Sequence, residues 1–361
     1  MHRNITRKIR KISYSKAIRE GIDQVMQESS NLVVIGEGVP DPKSIFLTTE
    51  GLREKYGKKR VFDMPLAENG MTGICIGAAI DGTRVLMIHQ RIDFALLAMD
   101  QIINNAAKWH YMFDGQMTVP IVIRVIIGRG WGQGPQHSQG LQALFAHIPG
   151  LKVIMPATAK DAKGMMITAL RDNNPVIFIE HRWLHHIEDD VPEEVYGSDI
   201  DKAQVIRRGS DVTIVASSLM VMESLKVAKV LSEIDIDMEV VDLRSVRPID
   251  INTIMQSVVK TKKIIVVDAA WKAGGIAGEI VAQVVDNGFD LLERAPLRIS
   301  LPEHPVPTSH YMADYYYQDA KEIAEQVMEF FGYQGNKESI FDLLNTGYHR
   351  DVPTKNFHGP F

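Results

Sequence analysis

The sequence predicts an α/β protein of two three-layer domains, because short apolar strands alternate with amphipathic helices twice along the chain. Residues 31–35 and 84–88 are apolar throughout, as in strands buried on both faces of a parallel sheet. Residues 14–29 instead repeat apolar side chains at helical spacing. A length of 361 residues suits two domains. We expect domains at 1–190 and 206–332, a linker at 191–205 and a C-terminal extension at 333–361.

The remaining elements continue this alternation. The first domain is predicted to have strands at 60–63, 119–125, 151–155 and 176–180, and helices from Glu68, at 94–112 and at 159–171. Residues 185–200 are polar and aperiodic, and we interpret them as part of a solvated linker. The second domain is predicted to have strands at 212–216, 238–241 and 264–267, and helices at 220–233, 251–260, from about Gly274 and at 320–331.

Composition narrows the class of protein. A hydrophobic content of 45% and a charged content of 24% are those of a soluble globular protein. The net charge of −5 argues against nucleic acid or an anionic membrane as the main partner. The basic start leads into no signal-peptide core, and no apolar run is long enough to span a bilayer, so we expect a cytoplasmic protein. The single cysteine, Cys75, is interpreted as a small buried hydrophobe.

The segment that follows the strand at 60–63 is the first candidate site. Gly70, Gly73 and Gly77 would lie on one face of a helix, although each glycine costs a helix about 0.8–1.0 kcal/mol against alanine. The stripe therefore suggests that another backbone, from another subunit, lies close. Glu68 would occupy the first helical turn at a sheet's carboxyl edge, where ligands collect. The alternative is an ordinary helix with an acidic first residue.

Two further positions follow strands in the same way. Glu37 comes directly after the strand at 31–35, and it is equally compatible with a ligand contact and a solvated loop residue. His137 ends the glycine-rich loop 128–139, whose alternate glycines do not fit a dinucleotide fingerprint but permit a tight backbone. A lone loop histidine is more often exposed than catalytic, yet this position favours a site. The adjacent histidines His185 and His186 could bind a metal, but no third ligand is evident in the sequence.

Several separate segments carry a family resemblance as an ordered set: VIGE at 34–37, VFDMPLAENG at 61–70, DQIIN at 100–104, QHSQ at 136–139 and VDLRSVRP at 241–248. Over roughly residues 14–332 the chain resembles the beta subunits of thiamine-diphosphate-dependent 2-oxo acid dehydrogenases of the pyruvate, branched-chain and acetoin type. These belong to the transketolase superfamily. The resemblance implies a pyrimidine-binding domain followed by a transketolase C-terminal domain.

The resemblance also implies roles for individual residues. Glu68 matches the glutamate that hydrogen-bonds a ring nitrogen of the cofactor's aminopyrimidine and so promotes loss of the thiazolium proton. Phe94 matches the aromatic residue that packs on this ring, and Glu37 and Leu66 match positions that line the same pocket. His137 matches a histidine at the substrate end, suited to proton handling or to binding an acyl intermediate.

The family resemblance also concerns two metals. Thiamine-diphosphate enzymes hold magnesium through a Gly-Asp-Gly motif, and this tripeptide is absent from the sequence. The resemblance therefore implies an alpha-type partner that supplies the magnesium half of the site, in an α2β2 assembly. Some family members also have a structural potassium site, and its positions correspond here to Ile121, Ala169, Leu170, Asp172 and Asn174.

The implied activity is decarboxylation of a 2-oxo acid with transfer of the acyl group to a lipoyl carrier, which could make a lipoyl acyltransferase a further partner. A ketolase that transfers a two-carbon unit to an aldehyde or sugar remains an alternative, as does a non-catalytic assembly subunit. Retention of Glu68 and His137 argues against the last. His89 and Arg91 depart from the family pattern, and they could bind a substrate phosphate or carboxylate or be surface charges. The loop with Arg129 and Trp131 is also distinctive.

Overall fold

The alternating strands and helices form two units in the computed structural model, which describes residues 9–41, 46–130 and 132–353. Trp131, which the sequence singles out, lies outside the described residues. The segment 127–147, which contains the glycine-rich loop, belongs to the second unit. The described residues of the first unit fall within 9–126 and 148–200, and those of the second within 127–147 and 201–353.

The strands are β1 (Ile9–Ser13), β2 (Leu32–Gly36), β3 (Val61–Asp63), β4 (Arg84–His89), β5 (Ile121–Ile127), β6 (Lys152–Ile154), β7 (Val176–His181), β8 (Glu188–Pro192), β9 (Gln204–Arg207), β10 (Val212–Ala216), β11 (Met238–Asp242), β12 (Ser245–Arg247), β13 (Ile264–Trp271) and β14 (Leu297–Leu301).

The α-helices are α1 (Tyr14–Glu28), α2 (Leu52–Tyr56), α3 (Glu68–Ile80), α4 (Ile92–Ala95), α5 (Ala107–Met112), α6 (Gln142–Ala146), α7 (Ala159–Arg171), α8 (Leu219–Leu231), α9 (Ile251–Thr261), α10 (Ile276–Gly288), α11 (His310–Tyr316), α12 (Ala320–Phe331) and α13 (Lys337–Leu344). Short 3₁₀ turns occur at Leu96–Ala98, Arg182–Leu184, Ser232–Ile234 and Phe289–Leu291. Within the described ranges, no helix combines the length and apolarity that crossing a membrane requires.

The sheet of the first unit has its strands in the order β6-β7-β5-β4-β2-β3. The pairs β2–β3, β2–β4, β4–β5 and β6–β7 are parallel, and every residue of β5 is buried. Helices α1 and α7 pack together, and the approach is close because a Cβ on Gly21 would lie 3.0 Å from the Lys163 carbonyl oxygen. The predicted α/β fold with a largely parallel sheet is confirmed for this unit.

The second unit repeats this arrangement with strand order β14-β13-β10-β11-β9. The central pairs are parallel, and β9 is an antiparallel edge strand. The segment after residue 332, expected from sequence as an extension without assigned structure, contains α13, which packs against α8 and α12.

The interpretation of residues 185–200 as solvated linker is wrong for its first part. Residues 188–192 form β8, which pairs antiparallel with β1. His185 is buried, and its Nε2 lies 2.7 Å from Glu180 Oε2. The sequence hides this strand because its residues are mostly polar, and because its partner lies more than 170 residues away along the chain.

The single helix predicted at 94–112 is irregular. It is divided into α4, a 3₁₀ turn, a six-residue π-helix at Gln101–Ala106 and α5. Gln101 Oε1 accepts a hydrogen bond from Asn105 and would lie 3.3 Å from a Cβ placed on Gly73. The π-helix therefore turns the Gln101 side chain toward α3, a tertiary contact that helical periodicity does not reveal.

A fully buried ion pair joins two strands of the first sheet. The Arg124 guanidinium donates to Glu180 and, at 2.6 Å, to Thr48 Oγ1. Burial opposes ionisation of Glu180, but Arg124 and His185 outweigh it and lower the pKa of this carboxyl. The charges are thus compensated on both sides, as buried charges require.

We expect Glu180→Gln to lower the free energy of unfolding by about 3–5 kcal/mol, because it leaves the buried Arg124 charge without its carboxylate. Urea unfolding monitored by circular dichroism measures the change. Glu28→Gln is the control, since Glu28 pairs with Arg171 on the surface and its loss should cost less than about 1 kcal/mol. Equal stability of both variants would contradict the assigned role of the buried pair.

Candidate active site

Two carboxyl groups converge at the carboxyl edge of the first unit's sheet. Glu37 follows β2 directly, and Glu68 is the first residue of α3. The strand end is tightly packed, since a Cβ on Gly36 would lie 2.3 Å from the Ile88 carbonyl oxygen of β4. This close approach of β2 and β4 fixes where Glu37 leaves the sheet.

The Glu68 side chain lies close enough to Glu37 to act on the ionisation of the Glu37 carboxyl group. Burial raises the pKa of Glu37, and the negative charges of Glu68 and Asp63 raise it further. Glu37 is only 8% exposed, and its Oε1 has no hydrogen-bond partner among the described residues. A carboxyl group that is buried beside other carboxylates favours its protonated form, which here concerns Glu37. The solvated-loop alternative for Glu37 is therefore wrong.

Asp63 also lies at this edge of the sheet, and it was not among the site residues expected from the sequence. Its Oδ1 accepts the backbone N–H of Gly38 at 2.7 Å and of Val39 at 3.3 Å. It thereby fixes the loop that follows Glu37. The sequence signal that could have identified Asp63 is its position at the end of β3, because neighbouring parallel strands end at the same edge of a sheet.

His89 is the last residue of β4 and is fully buried. Thr72 of α3 contacts Met87, and side chains alternate along a strand, so His89 lies on the sheet face that α3 covers. Neither of its ring nitrogens has a hydrogen-bond partner among the described residues. Burial lowers its pKa to about 4, which keeps the imidazole neutral.

Arg91 is also buried, and burial lowers its pKa while Asp93 opposes that change. The reading of His89 and Arg91 as surface charges is therefore wrong. Gln90, between them, donates to the Glu37 backbone oxygen at 3.3 Å, which ties this strand end to the carboxyl pair.

Leu66 and Phe94, both expected to line the cofactor pocket, differ in how exposed they are. Leu66 is 83% exposed, so it does not line an enclosed pocket within this chain. Phe94 lies in α4 and is partly exposed. Cys75 is buried in α3 and burial raises its pKa to about 12, which confirms its interpretation as a small buried hydrophobe.

The three glycines of α3 meet no backbone of another element among the described residues. A Cβ on Gly70 or Gly77 would have none of the described atoms within 4 Å, whereas one on Gly73 would meet the Gln101 side chain. Ile74, on the same helix, is 62% exposed. One side of the candidate site is thus an open surface of small and apolar residues.

His137 belongs to the second unit and is half-buried. In its loop, Gly132 and Gly134 have φ angles of 67° and 70°, a region that favours glycine. A Cβ on either would also lie within 3 Å of a Thr308 oxygen. Glycine is therefore required at both positions by conformation and by space.

A cavity of about 530 Å³ lies beside this loop in the second unit. Gln136 and Gln139, which flank His137 in sequence, line it together with Trp271, His304 and Val306. Trp271 and His304 could not be identified from the sequence, because their contribution depends on how β13 and the segment after β14 fold beside the loop.

The positions implied for potassium lie around the end of α7 and the start of β5 in the first unit. Arg84 donates to the backbone oxygens of Leu170 at 3.1 Å and Asp172 at 2.8 Å, and Lys152 pairs with the Asp172 carboxylate. Asn174 Oδ1 has no hydrogen-bond partner in the described part of the chain. No group of three or more His, Cys, Asp or Glu side chains that could hold a metal occurs among the described residues.

Comparisons with known proteins match both halves of the chain. The model of the transketolase pyrimidine-binding domain matches residues 10–186, and that of the transketolase C-terminal domain matches residues 201–323. A solved split-gene transketolase, described as an inactive β4 tetramer, superposes with a TM-score of 0.71 at 20% identity, covering 92% of this chain and 99% of that chain. That likeness concerns the fold.

Curated relatives are more similar in sequence. The chain is 41% identical over 325 residues to the beta subunit of acetoin:2,6-dichlorophenolindophenol oxidoreductase from Cupriavidus necator, covering 87% of this chain and 96% of the relative. It is 40% identical over 318 residues to the pyruvate dehydrogenase E1 beta subunit of Bacillus subtilis, covering 87% and 98%. With both domain models and these relatives in agreement, the chain belongs to the family of E1-type beta subunits of the thiamine-diphosphate-dependent 2-oxo acid dehydrogenases.

Proposed function

We propose that this chain supplies the pyrimidine-binding half of a thiamine diphosphate site in an α2β2 enzyme that decarboxylates a 2-oxo acid and passes the acyl group to a lipoyl carrier. The observation that carries the proposal is the carboxyl pair of Glu37 and Glu68 at the sheet's carboxyl edge. The raised pKa of Glu37 favours the protonated form of its carboxyl group, which gives this pair a proton to exchange.

The residues present fit the cofactor. When bound, thiamine diphosphate supplies an acidic carbon that adds to the carbonyl of a 2-oxo acid and accepts the electrons released on decarboxylation. Glu68 would hold a ring nitrogen of the pyrimidine by a hydrogen bond, and Glu37 would return the shared proton. Glu37 Oε1 is buried without a partner among the described residues, which suits a pocket completed by a ligand. Phe94 and Leu66 would pack on the ring.

His137 would handle a proton or hold the acyl group at the substrate end, and His89 and Arg91 would bind a carboxylate. Magnesium would be held by the alpha-type partner, since the sequence has no Gly-Asp-Gly motif. A lipoyl acyltransferase would be the next partner in the reaction.

Potassium would be held by the backbone oxygens of Ile121, Ala169, Leu170, Asp172 and Asn174. Arg84 donates to two of these oxygens, those of Leu170 and Asp172, and each carbonyl oxygen has a second lone pair that a cation would use.

The open surface of α3 supports a partner subunit. Leu66, Ile74 and Leu97 are each more than 60% exposed, and Gly70 and Gly77 have open space above them. Clustered exposed apolar residues mark interaction sites. A partner on this surface would bury Glu68 further and close the site from water.

We expect Glu68→Gln to leave cofactor binding to the assembled complex nearly unchanged but to slow exchange of the thiazolium C2 proton in deuterated water. The amide keeps the shape of the carboxyl group but cannot exchange a proton with the ring nitrogen. The loss should be about 10²–10⁴-fold, as for other acid–base groups. NMR after acid quench measures the exchange. Asp81→Asn, at the far end of α3, is the control, and wild-type exchange in Glu68→Gln would sink the assignment.

We expect Glu37→Gln to raise the melting temperature at pH 8. Because the folded state raises the pKa of Glu37 above 4.5, it favours the protonated form, and stability falls as the pH rises and Glu37 ionises. The variant lacks this titration, so its advantage should shrink as the pH falls toward 4.5. Thermal unfolding between pH 4.5 and pH 8 tests this, and an advantage that does not grow with pH would contradict the shared proton.

We expect Gly77→Leu to weaken assembly with the alpha-type subunit without unfolding the chain, because a Cβ at this position has no described atom within 4 Å. Light scattering on the co-purified complex measures assembly, and circular dichroism verifies folding. Ala282→Leu adds similar bulk to an exposed position of α10 and should leave the complex intact. Normal assembly of Gly77→Leu would show that this face is not the interface.

A further inference from the structure

The end of the described chain returns to the glycine-rich loop within the second unit. Asp351 is 2% exposed, and its Oδ2 accepts the backbone N–H of Gly132 at 3.1 Å. Gly132 lies five residues before His137 in the same loop. The loop is thus bound by a carboxylate that is separated from it by 219 residues of sequence.

The Asp351 carboxylate is itself held in place. His310 Nδ1, at the start of α11, lies 2.7 and 2.8 Å from its two oxygens. The preceding residue, Arg350, donates to the Tyr317 carbonyl oxygen at 3.0 Å and pairs with Asp319 and Glu322. The segment that carries Asp351 is therefore anchored to α11 and α12 before it reaches the loop.

A second contact joins the same parts of the chain. The buried Arg129 guanidinium lies over the Tyr317 ring, 5.1 Å from its centroid. Burial lowers the pKa of Arg129, while the carboxylates of Glu223 and Asp319 oppose that change. Arg129 at the start of the loop and Gly132 near its middle thus both contact the segment from α11 to Asp351.

We propose that Asp351 is a positioning residue: held by His310, it fixes the glycine-rich loop through Gly132 and thereby sets where His137 is presented. A loop rich in glycine has many accessible backbone states, so a fixed N–H contact removes much of that freedom. The importance of this for turnover rests on the proposed function, in which His137 acts at the substrate end.

The first test needs no turnover. In Asp351→Ala, amide hydrogen exchange should accelerate at least tenfold in peptides covering 128–139, with little change in β10 or β13. Asp351→Asn keeps an oxygen that accepts from Gly132 and should restore most of the protection. Asp342→Ala is the control, because Asp342 is an exposed residue of α13 in the same extension. Unchanged exchange in the loop of Asp351→Ala would overturn the proposal.

The second test is a double-mutant cycle on the complex assembled with the alpha-type subunit, using the 2-oxo acid that it turns over fastest. Asp351→Ala should lower kcat/KM about 10–100-fold, the scale of a misplaced catalytic group, and leave cofactor affinity unchanged. On a His137→Ala background it should have no further effect, because it acts through His137. Additive losses would overturn the positioning role.

Full activity of His137→Ala would overturn the role of His137 in the proposed function, whereas the exchange measurement would still decide whether Asp351 anchors the loop. If Asp351→Ala does not fold, His310→Ala replaces it. That variant frees one side of the carboxylate and should accelerate exchange in the loop, and normal protection would count against the proposal.

Discussion

The close approach of the Glu37 and Glu68 carboxyl groups is the constraint on which the candidate site depends. Two like charges resist being held together, so the chain must fix both backbones. The tight packing of β2 on β4 fixes one residue, and the start of α3 fixes the other. The raised pKa of Glu37 that results suits this carboxyl group to proton transfer.

The surroundings of this pair combine rigidity with exposure. Arg124 and Glu180 compensate each other's charge inside the same sheet, and His185 extends the network to the segment before β8. On the other side of the site, α3 presents small and apolar residues to solvent. This combination of a packed sheet and an exposed helix face is the basis of the proposal that a second chain completes the site.

The second unit places its histidine by a different device. Glycine at 132 and 134 leaves room for Thr308, but it also gives the loop backbone more conformational freedom. The anchored carboxylate of Asp351 and the ring of Tyr317 limit that freedom. The extension beyond residue 332 thus has a structural role, which its polar and aromatic sequence does not reveal.

The sequence by itself determined the α/β class, most strands and helices, and the position of Glu68 at a helix start, because apolar periodicity and strand–helix alternation are local signals. It also determined the family through its ordered segments, including those that contain Glu37 and His137. Only the tertiary structure decided that Glu37 is buried with a raised pKa beside Glu68, that His89 and Arg91 are buried, that β8 pairs with β1, and that Asp351 binds Gly132. Each of these depends on contacts between residues far apart in the chain, where burial and electrostatics are set by packing rather than by neighbours in sequence.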